Sequence, residues 1–313
     1  MINFCTYFDK NYLSRFLALH ASLNAFKFSY TFYVFSLDEF VNVFFKKNKL
    51  NNIKVISLKD LEQEYKKLLI AKKNRDLIEY YFTLTPFLPK YLHRKFNINK
   101  ISYLDSDMYF FKSPLDKIEE NSRFSIVLLK QYSDKKYGLY NVGWIYYNFD
   151  FSETKNILDL WSQQCLQLCT DIPKDGYYAD QKYLDIWPKK LDHLKIEEPE
   201  NYCLSPWDNN NMIEDNLKNF LGYHFHGLEI HDDHFVSGFS KYNKKNTQKI
   251  INEIYFPYLK ILTSIDNNIN VENLSLRNNS TNKFKFYIKK LRKVKSYLKQ
   301  KYYKDNYKIK LLK

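Results

Sequence analysis

The stretch Ile101-Ser102-Tyr103-Leu104-Asp105-Ser106-Asp107-Met108-Tyr109-Phe110-Phe111 constrains this chain more than any other. An apolar, β-prone run delivers two carboxylates two positions apart and then turns apolar again. A buried strand does not end in two acids unless something compensates their charge, because an unpartnered carboxylate in apolar surroundings is costly. A divalent cation compensates it. Hard oxygen ligands suit Mg²⁺ or Mn²⁺, and such ions keep positions open for water and substrate phosphates. The ground just past the C-terminal end of a strand is also where open α/β sheets place their ligands. Asp105 and Asp107 therefore read as a metal–diphosphate site, with an ordinary acidic turn as the alternative.

The rest of the chain alternates strand and helix. Ile2 to Tyr7 reads as a strand and Asn11 to Phe26 as a helix, with Leu13, Phe16, Leu17 and Leu23 near helical spacing. Tyr30–Leu37 and Lys54–Leu58 follow as strands, and Lys59 to about Ile70 as a helix. Asp76 to Leu92 begins helical and is interrupted by Pro86 and Pro89. Arg123–Leu129 and Trp144–Asn148 read as strands, Thr154–Cys169 as a helix, Asn201–Asn211 as a loop, and Asn246 to Leu262 as a closing helix. This rhythm predicts a parallel sheet with crossover helices. The domain reading is 1–263 for the folded body, 264–282 for an Asn/Ser-rich linker and 283–313 for a tail.

The net charge of +14 is not spread evenly. From Asn282 onward there are twelve lysines and Arg292 against the single acid Asp305, so the first 281 residues carry only +2. In the tail Phe284, Tyr287, Ile288, Leu291, Val294, Leu298 and Tyr302 recur at three-to-four spacing. That pattern predicts a basic amphipathic helix suited to an anionic membrane surface, with packing on the main body as the alternative. Nucleic acid is disfavoured, because no base-reading module accompanies the charge. No run has the length of a membrane-spanning helix, and Met1-Ile2-Asn3-Phe4 enters a strand directly, so the expected compartment is the cytoplasm, peripheral to the inner face of the cell membrane. The cysteines Cys5, Cys165, Cys169 and Cys203 lack C-x-x-C spacing and read as small buried thiols.

Five motifs then occur in order: Cys5-Thr6-Tyr7-Phe8-Asp9-Lys10-Asn11-Tyr12, Tyr103-Leu104-Asp105-Ser106-Asp107, Asn141-Val142-Gly143, Asp180-Gln181 and His224-Phe225-His226-Gly227. Together, over residues 1 to 240, they resemble the GT-A-fold glycosyltransferases, most of all glycosyltransferase family 8 and related bacterial sugar transferases. The resemblance implies an α/β fold with a Rossmann-like mixed sheet flanked by helices. It implies an enzyme that moves a sugar from a nucleotide-diphosphate donor, UDP first, to a hydroxyl of a glycan or lipid-linked glycan acceptor, with retention of configuration. It places Thr6, Tyr7, Asp9 and Tyr12 at the nucleotide, and Asp105, Asp107 and His224 on Mn²⁺ or Mg²⁺. It places Ser106, Asn141, Gly143, His226 and Gly227 near the diphosphate and donor sugar, and Asp180 and Gln181 at the reacting carbon. Trp207, in Asn201-Tyr202-Cys203-Leu204-Ser205-Pro206-Trp207, is the expected acceptor platform, or else a buried anchor.

Bland alternatives stand beside these. Asp9 suits a helix N-cap, Asn141-Val142-Gly143 a turn into a strand, and Asp180 a cap for a helix starting near Gln181. The chain also departs from the family pattern. Leu228-Glu229-Ile230-His231 stands where a Lys-Pro-Trp segment usually meets the diphosphate, which leaves Lys241 and His226 as candidate replacements. Tyr80-Tyr81-Phe82-Thr83 stands where an arginine is usual. The rival functions are a metal-dependent phosphohydrolase, which usually has a smaller residue than Tyr109 after the acid pair, and a non-enzymatic membrane or nucleic-acid binder acting through the tail.

Overall fold

The computed structural model describes residues 1–231, 234–242, 244, 247–275, 300–302 and 308–311. Seven strands form the main sheet: β1 (Ile2–Phe8), β2 (Tyr30–Ser36), β3 (Ile53–Ser57), β4 (Lys100–Leu104), β6 (Ile126–Lys130), β7 (Tyr140–Asn148) and β8 (Leu194–Glu197), in the order 3-2-1-4-7-6-8. β1 to β4 run parallel. β7 runs antiparallel to both β4 and β6, so the sheet is mixed, as the resemblance implies and not wholly parallel as the strand–helix rhythm predicts, and its direction changes beside the acid pair.

Helices cover both faces because the central strands are apolar on both sides. β2 and β7 are buried along their whole length, as expected of strands enclosed in an α/β layer structure. On one face α1 (Leu13–Asn24) and α2 (Glu39–Lys47) pack Phe16, Leu19, Leu23, Val41 and Phe45 against Phe4, Phe32 and Val34. The other face carries α3 (Leu58–Glu64), α4 (Lys67–Asn74), α5 (Leu77–Leu84), α6 (Phe87–Phe96) and α7 (Ser152–Gln167), with Tyr80, Leu88, Leu158 and Trp161 at its centre. All four cysteines are buried and unbridged.

A second, three-stranded sheet sets up the site. β5 (Met108–Phe110) begins directly after the acid pair and pairs antiparallel with β10 (Gly222–His224), which also pairs with β9 (Cys203–Leu204). Beneath it lies a closing helix, comprising α8 (Gln248–Ile250), a π-helical turn at Ile251–Tyr255, and α9 (Phe256–Ser275). Tyr255, Tyr258 and Leu262 from this helix pack against Tyr223 and Phe225.

Several sequence-based expectations are corrected. The helix expected over Lys59–Ile70 is broken between Glu64 and Lys67, where Tyr65 leaves helical geometry and packs on Phe87, ring centroids 4.9 Å apart. The interruption expected at the prolines is present at Pro86, since α5 ends at Leu84 and α6 begins at Phe87, but Pro89 interrupts nothing. Both prolines sit at the start of α6, where no intrahelical N–H bond is needed. Asn141-Val142-Gly143 is not a turn but part of β7, since the Gly143 carbonyl accepts from Asp105 N at 2.8 Å and Asn141 pairs with Leu129. The closing helix continues to Ser275, into residues expected to be linker.

Most of the expected helix 283–313 lies outside the described residues. Within it, Gln300–Tyr302 and Lys308–Leu311 are strands joined to β12 (His234–Val236), itself the partner of β11 (Glu229–Ile230). Lys308-Ile309-Lys310-Leu311 alternates with the two-residue period of a strand, which the helical reading of the tail passed over.

Trp161 couples core to site: it is fully buried, meets Trp187 edge-to-face at 5.3 Å, and donates its indole N–H to the Asp180 carbonyl at 2.7 Å. Trp161→Ala is expected to lower unfolding free energy by about 3–5 kcal/mol. Urea denaturation followed by circular dichroism measures this, and a loss under about 1 kcal/mol would contradict the packing described.

Candidate functional site

The acid pair forms the turn that carries β4 into β5, closed by Met108 N donating to the Asp105 carbonyl at 3.2 Å. Pairing of β5 with β10 brings His224 opposite Met108, and Phe225 N donates to the Asp107 carbonyl at 2.9 Å. Three groups 119 residues apart at most in the chain thereby converge. His224 Nε2 lies 3.1 Å from Asp107 Oδ1 and 3.4 Å from Asp105 Oδ2. The Tyr103 hydroxyl donates to Asp105 Oδ1 at 2.6 Å.

These neighbours decide the charges. Burial raises the Asp105 carboxyl above its ordinary value, with the Asp107 charge adding to the effect against the pull of His224. Burial also works against the Asp107 anion, but His224, by charge and hydrogen bond, outweighs it and holds Asp107 below the usual carboxylate range; His226 and Arg15 add to this. Burial alone would lower His224, yet the Asp107 and Asp105 carboxylates raise it.

The residues fit a divalent cation. Two carboxylates and an imidazole present oxygen and nitrogen donors within 4.8 Å of one another, a set suited to Mn²⁺ or Mg²⁺. His224 Nδ1 is buried without a hydrogen-bond partner and rests against Gly143. A Cβ at Gly143 would stand 2.6 Å from that nitrogen, so glycine is what allows the imidazole its place.

A cavity of about 510 Å³ opens beside the triad. Its lining brings together Tyr7, Asp105, Asn141, Gly143, Asp180, Gln181, Trp207, His224 and His226 from nearly every predicted motif. Asn141 is held by accepting the Gly143 N–H at 2.6 Å. Asp180 starts the 3₁₀ segment Gln181–Lys189, but its side chain makes no capping bond. The preceding Ala179 has φ +45°, a left-handed conformation uncommon for a residue with a side chain and characteristic of functional turns. Burial, helped by the Asp105 charge and opposed by a Thr85 hydrogen bond, pushes Asp180 up to about 7. Gln181 donates its amide to the Tyr137 carbonyl at 2.7 Å, which fixes its orientation.

Trp207 is both a cavity wall and a buried anchor: only 5% exposed, it meets His224, His226 and Tyr242 at ring-centroid distances of 5.3, 5.6 and 5.8 Å. Of the two candidate cations, His226 is pushed down to about 4 by burial, His224 and Lys241, and is neutral at pH 7. Lys241 lines the cavity, its stem crossing Gly227, whose φ of +70° and missing side chain make room for it.

Other predicted residues lie outside the cavity lining. Thr6 is buried within β1, and Ser106 is buried in the acid turn. Asp9 realises the capping alternative, accepting Asn11 N at 2.9 Å. Tyr12 is half-exposed under the Arg15 guanidinium, 4.7 Å away. Lys10 N donates to Asp38 at 2.7 Å, tying the loops after β1 and β2 together. The sequence reading missed Tyr103, Tyr137, Tyr178 and Tyr242, all cavity-lining. Among 28 tyrosines none stood out. Only Tyr103 carried a signal, lying two residues before Asp105 on the same strand face.

No model of a known protein family matches the chain. The sequence is 27% identical over 250 residues to the uncharacterized protein YfnF of Bacillus subtilis (strain 168), covering 72% of this chain and 82% of that one. It is 23% identical to YfnD of the same strain over 281 residues, covering 82% and 87%. The fold superimposes on the galactosyltransferase LgtC, crystallised with donor and acceptor sugar analogues, with TM-score 0.50 and 15% identity over 72% of this chain and 87% of LgtC. It superimposes on mouse xyloside xylosyltransferase 1 with TM-score 0.51 and 14% identity over 72% and 98%. The bifunctional glycosyltransferase WbbM gives 0.53 and 12% over 83% of this chain and 49% of WbbM. The fold is that of the GT-A glycosyltransferases.

Two outcomes follow from the geometry. Gly143→Ala should displace His224 and weaken Mn²⁺ binding at least tenfold in isothermal titration, in a chain that stays folded, because a 2.6 Å contact forces the ring aside. The second concerns Asp180, whose carboxyl titrates near 7 when folded against 3.8 as its ordinary value. Its burial therefore costs nothing below about pH 4 and progressively more up to pH 7. Relative to Asp180→Asn, the metal-free wild type should lose stability across that window, by at most about 4 kcal/mol at 1.4 per pH unit. Parallel denaturation curves at pH 4 and pH 7 would contradict the assignment.

Proposed function

We propose that the cavity binds a nucleotide-diphosphate sugar, with UDP as the expected nucleotide, and that the protein transfers the sugar to a hydroxyl of a glycan or lipid-linked glycan. The observation that carries this reading is the convergence of Asp105, Asp107 and His224 beside Asn141, Gly143, Asp180 and Gln181 around one cavity. An isolated acidic turn would need no imidazole and no such cavity. Asp105, Asp107 and His224 would hold Mn²⁺ or Mg²⁺. When bound, that ion supplies Lewis-acid stabilisation of charge on a diphosphate leaving group.

The chain's own residues do the rest. Lys241, the cation on the cavity wall where the usual family lysine is missing, faces the same negative charge. Asn141 and Gly143 border the donor sugar. Asp180, protonated over much of the range below neutrality, can donate a hydrogen bond there or stabilise positive character at the anomeric carbon once ionised. Gln181, fixed through Tyr137, orients the same region. In the transfer itself the bond from the anomeric carbon to the phosphate oxygen breaks and a bond to the acceptor oxygen forms. The acceptor's proton passes to the departing diphosphate. Entry of the acceptor on the leaving-group side gives retention. Trp207 and the tyrosine-rich walls exclude water and offer aromatic faces to sugar rings.

Thermal melting with Mn²⁺ and a panel of nucleotide sugars tests the reading. One nucleotide sugar is expected to raise the melting temperature by several degrees in a metal-dependent way, as ligand linkage requires, and the rise should vanish in Asp107→Ala. A flat response across the panel in a folded wild type would overturn it.

A further inference from the structure

We infer that the face built from α4, the start of α5 and the turn at Asp171–Lys174 lies against a lipid bilayer surface, beside the mouth of the cavity. Five aliphatic side chains gather there in contact with solvent: Leu69, Ile70, Leu77, Ile78 and Ile172 are between 43% and 69% exposed. The elements that carry them meet: α4 packs against α5, and Ile78 of α5 and Ile172 share the cavity wall. The carboxylate oxygens of Asp76, Glu79 and Asp171, each next to or near one of these residues in the chain, lie within 4.8 Å of one another. Ile78 and Ile172 line the cavity, and Ile70 lines a neighbouring groove with Glu79 and Leu166–Thr170.

α4 has the chemistry of a bilayer-contacting helix. Its sequence Lys67-Leu68-Leu69-Ile70-Ala71-Lys72-Lys73-Asn74 buries only Leu68 and Ala71 in the core. Leu69 and Ile70 point outward between Lys66 and Lys67 on one side and Lys72 and Lys73 on the other, all four exposed. Among the described residues only Lys72 of these four is paired with a carboxylate, that of Glu62. Long lysine stems can lie along the apolar strip and place their charges among phosphate headgroups while Leu69 and Ile70 enter the acyl boundary. The face also carries Asp76, Glu79 and Asp171, so the aliphatic residues supply the main attraction and the α4 lysines favour anionic lipid. No helix among the described residues is long and apolar enough to cross a membrane, so the contact is peripheral.

The surface stands independently of the catalytic reading. The consequence that the cavity would open toward an acceptor anchored in lipid rests on that reading. The surface is distinct from the basic tail, and the test separates the two.

The four native cysteines are buried, so single cysteines introduced on the surface can be labelled selectively. Full-length Ile70→Cys and Ile172→Cys, carrying an environment-sensitive fluorophore, are mixed with vesicles of phosphatidylglycerol and phosphatidylcholine. Val43→Cys on α2, also exposed, serves as the control on the opposite face. A blue shift at positions 70 and 172 with none at 43 is expected. Leu69→Ser combined with Ile70→Ser should reduce vesicle affinity about tenfold, with less binding to pure phosphatidylcholine throughout. The donor-induced thermal shift should remain, which distinguishes a failure here from a failure of the transferase reading. No blue shift at 70 or 172 overturns the inference, even if the tail alone carries the chain to vesicles. So does quenching of these probes by a second copy of the protein without lipid, which would make the face a protein interface.

Discussion

The structure depends on one electrostatic arrangement: two carboxylates at the end of a buried strand, faced by an imidazole delivered from the far side of the chain. Asp105 and Asp107 sit in a low-dielectric setting where neither charge is stable alone. His224 reaches them only because β5 leaves the acid turn and pairs with β10. The three-stranded sheet is thus a device for meeting charge with charge. Its backing helix, through Tyr255 and Tyr258, is apolar support for it. The same concentration of negative charge suits a divalent ion and, through it, a diphosphate.

The scaffold places a second acid under different rules. Asp180 has no cationic partner of its own among the described residues. It is held by Trp161 through its backbone carbonyl and by the left-handed Ala179 before it, so its carboxyl faces the cavity rather than capping the segment that follows. Burial keeps it protonated to about 7 while His224 keeps Asp107 ionised. The two carboxyls on the cavity wall, Asp105 and Asp180, are thus both raised by burial, and Asp107 stands beside them as the ionised partner of His224. Around them the walls are aromatic, and the mouth carries exposed aliphatic residues. One cavity thereby joins a polar, metal-ready floor to an amphiphilic entrance.

The sequence read well where local chemistry dictated structure. The acid pair at a strand end, the alternating strands and helices and the buried thiols all follow from patterns within a few residues. The lone histidine of β10 did not: four of the seven histidines cluster between 224 and 234, and resemblance alone singled out His224. Asn141-Val142-Gly143 looked like a turn because Asn and Gly favour turns, and pairing with β4 and β6 overrode that preference. The proline-interrupted segment read correctly at Pro86, which separates α5 from α6, and misled only at Pro89, which falls in the first turn of α6 where no intrahelical N–H bond is needed.

The sequence by itself therefore determined the alternation of strand and helix, the position of the acid turn and the residue types available for metal and phosphate. Those are properties of short segments, set by propensity, periodicity and the cost of burying charge. Only the tertiary structure decided which histidine meets the acids, that Asp180 is raised and His226 neutral, that Lys241 is the cation on the cavity wall, and that tyrosines close the site. These depend on through-space distance and on exclusion of water between residues more than two hundred positions apart, which no local pattern encodes.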